Sequence, residues 1–480
     1  MTRLDSPAVA PYPVPTRRPG LALAVLLTAS FTLAVDFSIL TVALPVIGRD
    51  VGFGLDTLQW ITTSFALCAA GFTLLFGRIA DLFGRRRLFL AGIALLGVSS
   101  LVGGLAIAPG MLIAARVAQG LATAAVVPAA LSLLTTAFPE GPARDRALGL
   151  NGALMAAGFT TGAIVGGLLT DLLSWRWAFF VNVVVAVAVL ALAPLVLAES
   201  RPPRRPRLDL PGSVTVTAGL LAIVYGLTAA GEHGWTDRRA LAALAVGAVL
   251  LVAFGAVERR VDAPLVPAAV LRRPTVRWGN LLGLLAFATE TSLVFLLTLY
   301  LQSVLGFPPL VAGGSFAVLG VGTVLGGMLG PRLVTAWGGR RTIVAGFLAQ
   351  AAATAPLCLL GPDRGWMAVL LVTTFLGGVA NLVVIVGFMV TATSGLPDGE
   401  QGLATGIATL SQQVGITVGT PVMSAVLAAV VHGLGTEGAG AVLRGVTTAV
   451  GVNAGLCLLG AGLAALLLPR LQPAGRATVD

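Results

Sequence analysis

Long apolar stretches alternate with short polar segments along the whole chain, and fourteen of these stretches reach the length of a membrane-spanning helix. About twenty mostly apolar residues are enough for an α-helix to cross the hydrocarbon core of a bilayer. The pattern therefore predicts an all-α membrane protein with fourteen spans. We place the spans at 21–45, 57–76, 88–107, 110–137, 147–171, 176–198, 211–231, 240–257, 278–302, 309–336, 342–361, 366–393, 402–431 and 445–468.

Two polar linkers, at 199–210 and 258–277, divide the predicted spans into groups of six, two and six. The first linker is rich in proline and arginine, which is typical of a connection between separately packed bundles. We predict a six-helix bundle in 1–200, an inserted two-helix segment with its flanking linkers in 201–275, and a second six-helix bundle in 276–480.

The two groups of six resemble each other in the loop that follows their second span. Residues 77–87 and 331–341 both contain a glycine followed by arginines, and they align on Gly84 and Gly338. Internal duplication of this kind is typical of secondary transporters, which bind substrate between two repeats near the middle of the membrane.

Composition supports the membrane assignment. Hydrophobic residues make up 57% of the chain, charged residues only 10%, and the mean hydropathy is +0.96. Soluble domains carry about 25% charged residues, so this chain has too few to cover a water-facing surface, and we expect the lipid bilayer to be its main solvent.

The net charge of +10 reflects arginine in the loops, because the chain contains no lysine. With a cytoplasmic N-terminus, the cytoplasmic segments hold 23 arginines and the opposite segments six, while Arg116 falls inside a span. This asymmetry predicts an even number of spans with both termini cytoplasmic. Because the arginines follow topology, we expect no nucleic-acid partner. The arginine-only composition is typical of a GC-rich bacterium, so we place the protein in a bacterial inner (plasma) membrane.

Three ionisable residues, Asp36, Arg116 and Glu290, lie within the predicted spans. A charge at the centre of a bilayer costs at least about 2.5–3.5 kcal/mol, so such residues are candidates for proton coupling or substrate binding. For Asp36 and Arg116 the alternative is a structural ion pair between helices. For Glu290, which is flanked by Thr289 and Thr291, the alternative is a local hydrogen-bonded site. Five intramembrane or near-membrane amides could bind substrate or join helices: Gln59, Gln302, Asn381, Gln412 and Gln413.

Other chemistry finds little support in the sequence. The three cysteines lie singly in apolar stretches, neither histidine is placed as a metal ligand, and no phosphate-binding glycine-rich loop with its lysine is present. We therefore expect no enzymatic activity, no metal and no cofactor. A transporter of this kind would draw its energy from the proton gradient.

The segment 77–87, Gly-Arg-Ile-Ala-Asp-Leu-Phe-Gly-Arg-Arg-Arg, resembles the hallmark loop of the major facilitator superfamily. The resemblance implies the superfamily's fold of two six-helix bundles, here with two additional central helices. It also implies a gating role in which Asp81 caps a helix of the opposing bundle and pairs with loop arginines. The residues that match the motif are Gly77, Asp81, Gly84, Arg85 and Arg86.

Three further segments resemble motifs of the fourteen-helix drug:proton antiporter branch of that superfamily: 36–45, which begins with Asp36; 116–120, Arg-Val-Ala-Gln-Gly; and 175–182, Trp-Arg-Trp-Ala-Phe-Phe-Val-Asn. A fourth motif, which packs helices through glycines, is present but has Ala163 where the branch has proline. Its glycines are Gly158, Gly162, Gly166 and Gly167.

The resemblance implies a monomeric, proton-coupled exporter of lipophilic drugs or metabolites, cationic or neutral, that works by alternating access. Protonation of Asp36 or Glu290 would displace the substrate. Ala163 removes the bend that proline would add, and it leaves open the alternative of a proton symporter that imports a small solute on the same fold.

Overall fold

The computed structural model describes residues 18–54, 57–138, 142–199, 209–261, 268–393, 401–435 and 438–469. These residues are almost entirely helical and contain no β-strand. In chain order the helices are α1 (Pro19–Ile39), α2 (Leu44–Val51), α3 (Trp60–Phe83), α4 (Arg85–Gly104), α5 (Pro109–Ala137), α6 (Pro142–Leu172), α7 (Trp177–Val196), α8 (Leu210–His233), α9 (Arg238–Glu258), α10 (Ala268–Leu271), α11 (Pro274–Leu299), α12 (Pro309–Trp337), α13 (Gly339–Thr354), α14 (Met367–Thr393), α15 (Gln401–Leu434) and α16 (Ala439–Leu467).

Twelve helices in the described parts of the chain are long and apolar enough to cross a membrane, judged by length and composition. They are α1, α4, α5, α7, α8, α9 and α11 to α16. Helices α3 and α6 contain shorter apolar stretches, Trp60–Thr73 and Thr161–Leu172, which do not reach that length. The structure thus gives twelve candidate spans, and the predicted count of fourteen is not confirmed.

The predicted first span, 21–45, is wrong at its end. Helix α1 ends at Ile39, and a turn leads into the separate short helix α2. Proline has no N–H group and favours the first turn of a helix, and Pro45 stands in the first turn of α2. The apolar residues of the turn continue the hydrophobic stretch, which is why hydropathy alone joined the two helices. Helix α2 ends at Val51 and is followed by Gly52, whose φ of 91° lies in the left-handed region that glycine readily adopts.

The helices on either side of the central hairpin pair in the same way. In α1–α7, called here the first half, α1 packs on α6, α3 on α5, and α4 on α7. In α11–α16, the second half, α11 packs on α15, α12 on α14, and α13 on α16. Single glycines with positive φ connect equivalent helices in the two halves: Gly84 (φ 110°) joins α3 to α4, and Gly338 (φ 79°) joins α12 to α13.

Between the halves, α8 and α9 form a hairpin that packs through α8 on both α3 and α15. The hydroxyl group of Thr217 on α8 donates a 2.6 Å hydrogen bond to the carbonyl oxygen of Gly71 on α3. Helix α9 presents exposed apolar side chains, including Val249 and Val252, which suit a lipid-facing surface.

Contacts between helix ends define two faces of the helical body. The terminal face contains Gly84 and Glu199, whose carboxylate accepts a hydrogen bond from the backbone N–H of Arg86. The distal face contains α2 and the start of α7, where the guanidinium of Arg176 lies 2.7 Å from the carboxylate of Asp50. Helix α1 runs from the terminal face to the distal face.

The two halves are joined near the distal face. One hydrophobic cluster of the described residues there includes Ile39 and Trp175 of the first half and Tyr300 and Met423 of the second. Farther toward the terminal face, a cluster that includes Phe89 belongs to the first half and another that includes Phe347 to the second. The described hydrophobic packing is thus shared at the distal face and separate toward the terminal face.

Polar contacts join the halves in the same region. The side-chain amide of Gln302, in the π-helical turn that continues α11, donates a 2.7 Å hydrogen bond to the carbonyl oxygen of Val42. The hydroxyl group of Thr417 on α15 donates a 3.0 Å hydrogen bond to the carbonyl oxygen of Ala66 on α3. Both acceptors are backbone atoms of the first half.

Candidate functional site

Asp36 and Arg116, two of the three charged residues predicted within the spans, form an ion pair in the first half. The guanidinium Nη1 of Arg116 on α5 lies 3.1 Å from the carboxylate Oδ2 of Asp36 on α1. Its Nε donates a 2.9 Å hydrogen bond to the carbonyl oxygen of Ile61 on α3, and the guanidinium lies over the ring of Phe65, 4.1 Å from its centroid. Both charged side chains are at most 1% exposed, so the pair is sealed from solvent.

Three uncharged polar residues complete this cluster, which we call the acid–base cluster. The side-chain amide of Gln119 donates to the carboxylate of Asp36 at 3.2 Å and to the hydroxyl oxygen of Ser100 at 2.8 Å. The side-chain amide of Asn182 on α7 also donates to Asp36. The carboxylate is therefore met by three donors, and the cluster links α1, α3, α4, α5 and α7.

Gln119, Asn182 and Ser100 are site residues that were not predicted from the sequence. Gln119 and Asn182 stand in two of the motif-like segments, 116–120 and 175–182. The motifs thus indicate both positions, but they do not indicate that the two amides bind the carboxylate of Asp36. For Ser100, an uncharged residue in an apolar stretch, the sequence carries no comparable signal. Two buried atoms of the cluster have no hydrogen-bond partner among the described residues, Nη2 of Arg116 and Oδ1 of Asn182.

Glu290, the third charged residue, lies apart from the acid–base cluster, on α11 in the second half. It lines a cavity of about 20 Å³, which we call the Glu290 cavity. The other lining residues come from α11, α12, α13 and α14: Leu293, Val294, Leu297, Phe316, Leu319, Gln350, Thr374, Gly377 and Asn381. In the described parts of the chain, Glu290 has no hydrogen-bond or ion-pair partner.

The residues next to Glu290 do not hydrogen-bond to it. The hydroxyl groups of Thr289, Thr291 and Ser292 donate to carbonyl oxygens of the preceding helical turn. Asn453 on α16 donates from its side-chain amide to the carbonyl oxygen of Thr289 and the hydroxyl oxygen of Ser292. These contacts join α11 to α16 and do not involve the carboxyl group of Glu290.

The glycines of the packing motif line the contacts of α6. A Cβ atom added at Gly162 would meet the carbonyl oxygen of Val35 on α1 at 2.6 Å, and one at Gly166 would meet that of Ile39 at 2.1 Å. Gly158 lies against Phe31 and Ala34 of α1 in the same way. Contacts this close require residues without side chains.

The fourth glycine faces the other half. A Cβ atom at Gly167 would lie 2.5 Å from the carbonyl oxygen of Pro309 and 3.2 Å from the Cα atom of Gly313, both on α12. At Gly313 it would lie 2.6 Å from the carbonyl oxygen of Ala163. Helices α6 and α12 therefore meet backbone to backbone near the distal face. Ala163, the residue in place of the motif's proline, is buried at this contact.

The loop assigned to gating connects α3 and α4 at the terminal face. Gly77 packs on α5, where a Cβ atom added to the glycine would lie 3.7 Å from the side chain of Pro128, and Gly84 lies against the carboxylate of Glu199. The guanidinium of Arg86 donates a 3.0 Å hydrogen bond to the carbonyl oxygen of Pro194 at the end of α7. These contacts stay within the first half.

The remaining residues of this loop are less completely described. Arg85 begins α4 and is partly buried. Asp81 lies in the last turn of α3, and its side chain is outside the described part of the structure. The proposed pairing of Asp81 with the opposing bundle therefore stays a prediction.

At the distal face, the segment 175–182 contributes a second ion pair. The indole N–H of Trp175 and the guanidinium of Arg176 both donate to the carboxylate of Asp50 on α2, at 2.8 and 2.7 Å. The hydrogen bond from Arg176, followed by that from Trp175, lowers the pKa of Asp50 below its usual value of 3.8. Arg176 also donates to the carbonyl oxygen of Ala106, so the contact ties three distal loops together.

Comparisons with known proteins agree with this architecture. A sequence model described as Major Facilitator Superfamily matches residues 26–420. The cephamycin export protein CmcT of Amycolatopsis lactamdurans is 40% identical over 426 residues, which cover 88% of this chain and 87% of that protein. The puromycin resistance protein pur8 of Streptomyces alboniger is 38% identical over 466 residues, which cover 95% of this chain and 92% of that protein.

Solved structures share the fold at low sequence identity. The crystal structure of a D-xylose-proton symporter superposes with a TM-score of 0.64 at 14% identity, covering 94% of this chain and 98% of that one. At that identity the likeness concerns the fold alone. The family is shown by the match of the family sequence model together with the two relatives. The chain belongs to the Major Facilitator Superfamily.

Proposed function

We propose that the protein exports small lipophilic compounds, cationic or neutral, in exchange for protons by alternating access. The observation that carries this proposal is the joining of the two halves, which share a hydrophobic cluster at the distal face and have separate ones toward the terminal face. Two halves held together at one side of the membrane can rock around a site between them. The names of the two relatives, an export protein and a resistance protein, support export as the direction.

The proposed topology has fourteen spans in a bacterial inner (plasma) membrane, with both termini cytoplasmic. Helices α3 and α6, of 24 and 31 residues, would add two spans to the twelve candidates, because helices of about twenty residues reach across a bilayer. The domains would be 1–200, 201–275 and 276–480. The terminal face, with its arginine-rich segments, would then be cytoplasmic, and this conformation would be closed toward the outside.

The protein would act as a monomer, with the proton gradient as its energy source and with no cofactor or nucleic acid. The proton-coupling residues would be Asp36, Arg116 and Glu290, because intramembrane charges are retained where function needs them. An exporter needs an acid that exchanges a proton for the substrate between its two conformations. Asp81 and its loop would stabilise the outward-open conformation.

The test is transport by the purified protein in proteoliposomes, with ethidium and puromycin as probes. An imposed pH gradient should drive probe movement against the proton flow, and probe addition should dissipate the gradient. The double variant Asp36→Asn/Glu290→Gln should lose this coupling. The matched control Asp171→Asn, which changes an exposed acid at the end of α6, should retain it. Unchanged transport in the double variant would overturn the proton-carrier assignment.

Import by proton symport is the second candidate, and Ala163 favours it because it stands where the antiporter motif has proline. The same proteoliposomes separate the two functions. Accumulation of the probe on the side toward which protons flow identifies symport, whereas movement in the opposite direction identifies export.

A further inference from the structure

A cleft at the distal face is not used by the proposed function. It lies between α2 and the junction of α6 and α7, has a volume of about 550 Å³, and is called here the distal cleft. Its lining includes Arg49, Asp50, Thr170, Ser174 and Arg176. Sites for small molecules have volumes of about 300–1,000 Å³, so the distal cleft is large enough to hold one.

Arg49 brings free hydrogen-bond donors to the distal cleft. Its Nε donates a 3.3 Å hydrogen bond to the carbonyl oxygen of Pro45, one turn earlier on the chain, and its Nη1 and Nη2 have no partner among the described residues. Arg176 differs, because Asp50 and the carbonyl oxygen of Ala106 hold its guanidinium. Arg49 is exposed, and two free guanidinium nitrogens can bind two oxygens of one phosphate or carboxylate group.

Two hydroxyl groups at the end of α6 are further donors on this lining. The hydroxyl oxygen of Thr170 is buried and has no partner in the described part of the chain, although a threonine hydroxyl in a helix can donate to a carbonyl oxygen of the preceding turn, as that of Thr291 does. Ser174 accepts a 3.4 Å hydrogen bond from the backbone N–H of Arg176, and no described residue accepts its own hydrogen. A buried polar atom without a partner costs free energy, so the hydroxyl of Thr170 calls for an acceptor outside its helix.

Asp50 adds a free acceptor. Its Oδ2 accepts the hydrogen bonds from Arg176 and Trp175, whereas its Oδ1 has no partner among the described residues. The hydrogen bond from Arg176, followed by that from Trp175, holds the pKa of this carboxyl group below 3.8, so it is ionised at neutral pH. The distal cleft therefore presents a free cationic group and a free anionic oxygen on consecutive residues of α2.

Exposed apolar side chains adjoin the polar lining. Leu173, which lines the distal cleft, is 62% exposed. Close by, the exposed Trp177 begins an apolar stripe on α7 that continues at Val184 and Val187. Residues spaced by seven and by three lie on one face of a helix. Such a stripe suits a lipid-facing surface, and tryptophan is typical of the level of the lipid headgroups, so the distal cleft lies where the lipid-facing surface begins.

A phospholipid fits this arrangement better than a soluble compound does. Its phosphate can bind the free nitrogens of Arg49 and accept from the hydroxyl groups of Thr170 and Ser174. An ethanolamine headgroup also carries an ammonium group, whose N–H can donate to Oδ1 of Asp50, whereas choline has no N–H and glycerol has no charge. The acyl chains can lie along the apolar stripe of α7, which a soluble compound would leave uncovered.

We propose that the distal cleft binds the headgroup of phosphatidylethanolamine, with the phosphate on Arg49 and the ammonium group on Asp50. The lipid belongs to the leaflet on the side of the distal face, which is the outer leaflet in the proposed topology. Its headgroup would bridge α2 and the end of α6. The inference does not depend on the direction or the energy source of transport.

The experiment is native mass spectrometry of the purified full-length protein, freed of lipid and titrated in detergent with dioleoyl phosphatidylethanolamine. The wild type should bind one such lipid several-fold more tightly than dioleoyl phosphatidylcholine or phosphatidylglycerol. Arg49→Gln should weaken the binding of all three lipids roughly tenfold or more, because it removes charge-assisted hydrogen bonds to the phosphate. Thr170→Val, which removes one neutral donor, should weaken it about fivefold.

Two further measurements separate the groups of the lipid. Asp50→Asn should remove most of the preference for phosphatidylethanolamine and retain the binding of phosphatidylglycerol, because only the ammonium group needs the negative charge. Glycerophosphoethanolamine, which has the headgroup without acyl chains, should compete only at far higher concentration than the lipid. The matched control is Arg239→Gln, which changes an exposed arginine at the start of α9 that does not line the distal cleft and should leave all affinities unchanged.

Three results would overturn the inference. Equal losses in Arg49→Gln and Arg239→Gln would show general attraction of lipid to arginine, and equal affinity of the wild type for the three lipids would exclude recognition of the ammonium group. Competition by glycerophosphoethanolamine at the concentration of the lipid would show a soluble ligand. If Asp50→Asn does not fold, Arg49→Gln and Thr170→Val decide, since they leave the distal ion pair intact.

Discussion

Neighbouring glycines on α12 offer a direct test of how the halves are joined. A Cβ atom at Gly313 would lie 2.6 Å from the carbonyl oxygen of Ala163, whereas one at Gly314 would have nothing within 4 Å. Both Gly313→Ala and Gly314→Ala raise the helix propensity of α12, but only Gly313→Ala introduces a clash with α6. Alanine in place of glycine inside a helix contributes about 0.5–1 kcal/mol of stability, which the control variant should show.

The magnitude follows from the distance. The contact at position 313 must lengthen by about 0.4 Å to reach 3.0 Å, below which Cβ contacts essentially do not occur, and by about 0.8 Å to reach ordinary contact at 3.4 Å. The opposing atom belongs to the backbone, so α6 and α12 must separate. Overpacking of this kind costs about 1–3 kcal/mol. This cost falls only on the conformation in which α6 and α12 touch, so the ratio of separated to joined molecules should rise roughly 5- to 150-fold.

Distances between two spin labels measure this shift. Leu173 and Leu310 are exposed, 62% and 36%, near the distal ends of α6 and α12, and they can carry labels after replacement of the three native cysteines. Gly313→Ala should move the distance distribution toward longer values, and Gly314→Ala should leave it at that of the parent. Identical distributions in the two variants would refute both the backbone contact and the idea that the halves separate there.

Two further predictions concern the ion pairs. Arg116→Met leaves the buried carboxylate of Asp36 without its counter-charge and should cost about 3–5 kcal/mol of stability, whereas Arg116→Met/Asp36→Leu should recover part of that loss in thermal unfolding; a double variant no better than the sum of the single ones would contradict the pairing. At the distal face, the lowered pKa of Asp50 stabilises the fold above its usual value of 3.8, and this contribution is lost as the pH falls through the lowered value. The melting temperatures of wild type and Asp50→Asn should therefore differ at neutral pH and converge on acidification; a constant difference would argue against the pair with Arg176.

The sequence was most informative where a charged residue interrupts an apolar stretch. Asp36 and Arg116 stood out for that reason, and their pairing follows from the cost of burying either charge alone. Gln119 and Asn182 stood in motif-like segments, but nothing in a sequence states which acceptor an amide will find. The positions of the long helices along the chain could also be predicted, because membrane helices need long apolar stretches.

Hydropathy failed where the chain bends without a change in polarity. The turn between α1 and α2 is as apolar as the helices it joins, so only Pro45 marked the boundary, and it was read as an end. Ser100 was missed for a different reason. It is one uncharged polar residue in an apolar stretch, and only the packing of α4 on α5 brings its hydroxyl group to the side-chain amide of Gln119.

The contact between Gly167 and Gly313 has a consequence for the motion itself. Helices usually pack with side-chain ridges of one in grooves of the other, so a change in crossing angle must disengage interlocked side chains. Two glycines have no ridges to disengage. We therefore expect α6 and α12 to change their crossing angle and to separate at this contact without a rotamer change, while the hydrogen bonds from Gln302 to Val42 and from Thr417 to Ala66 oppose the separation of the halves.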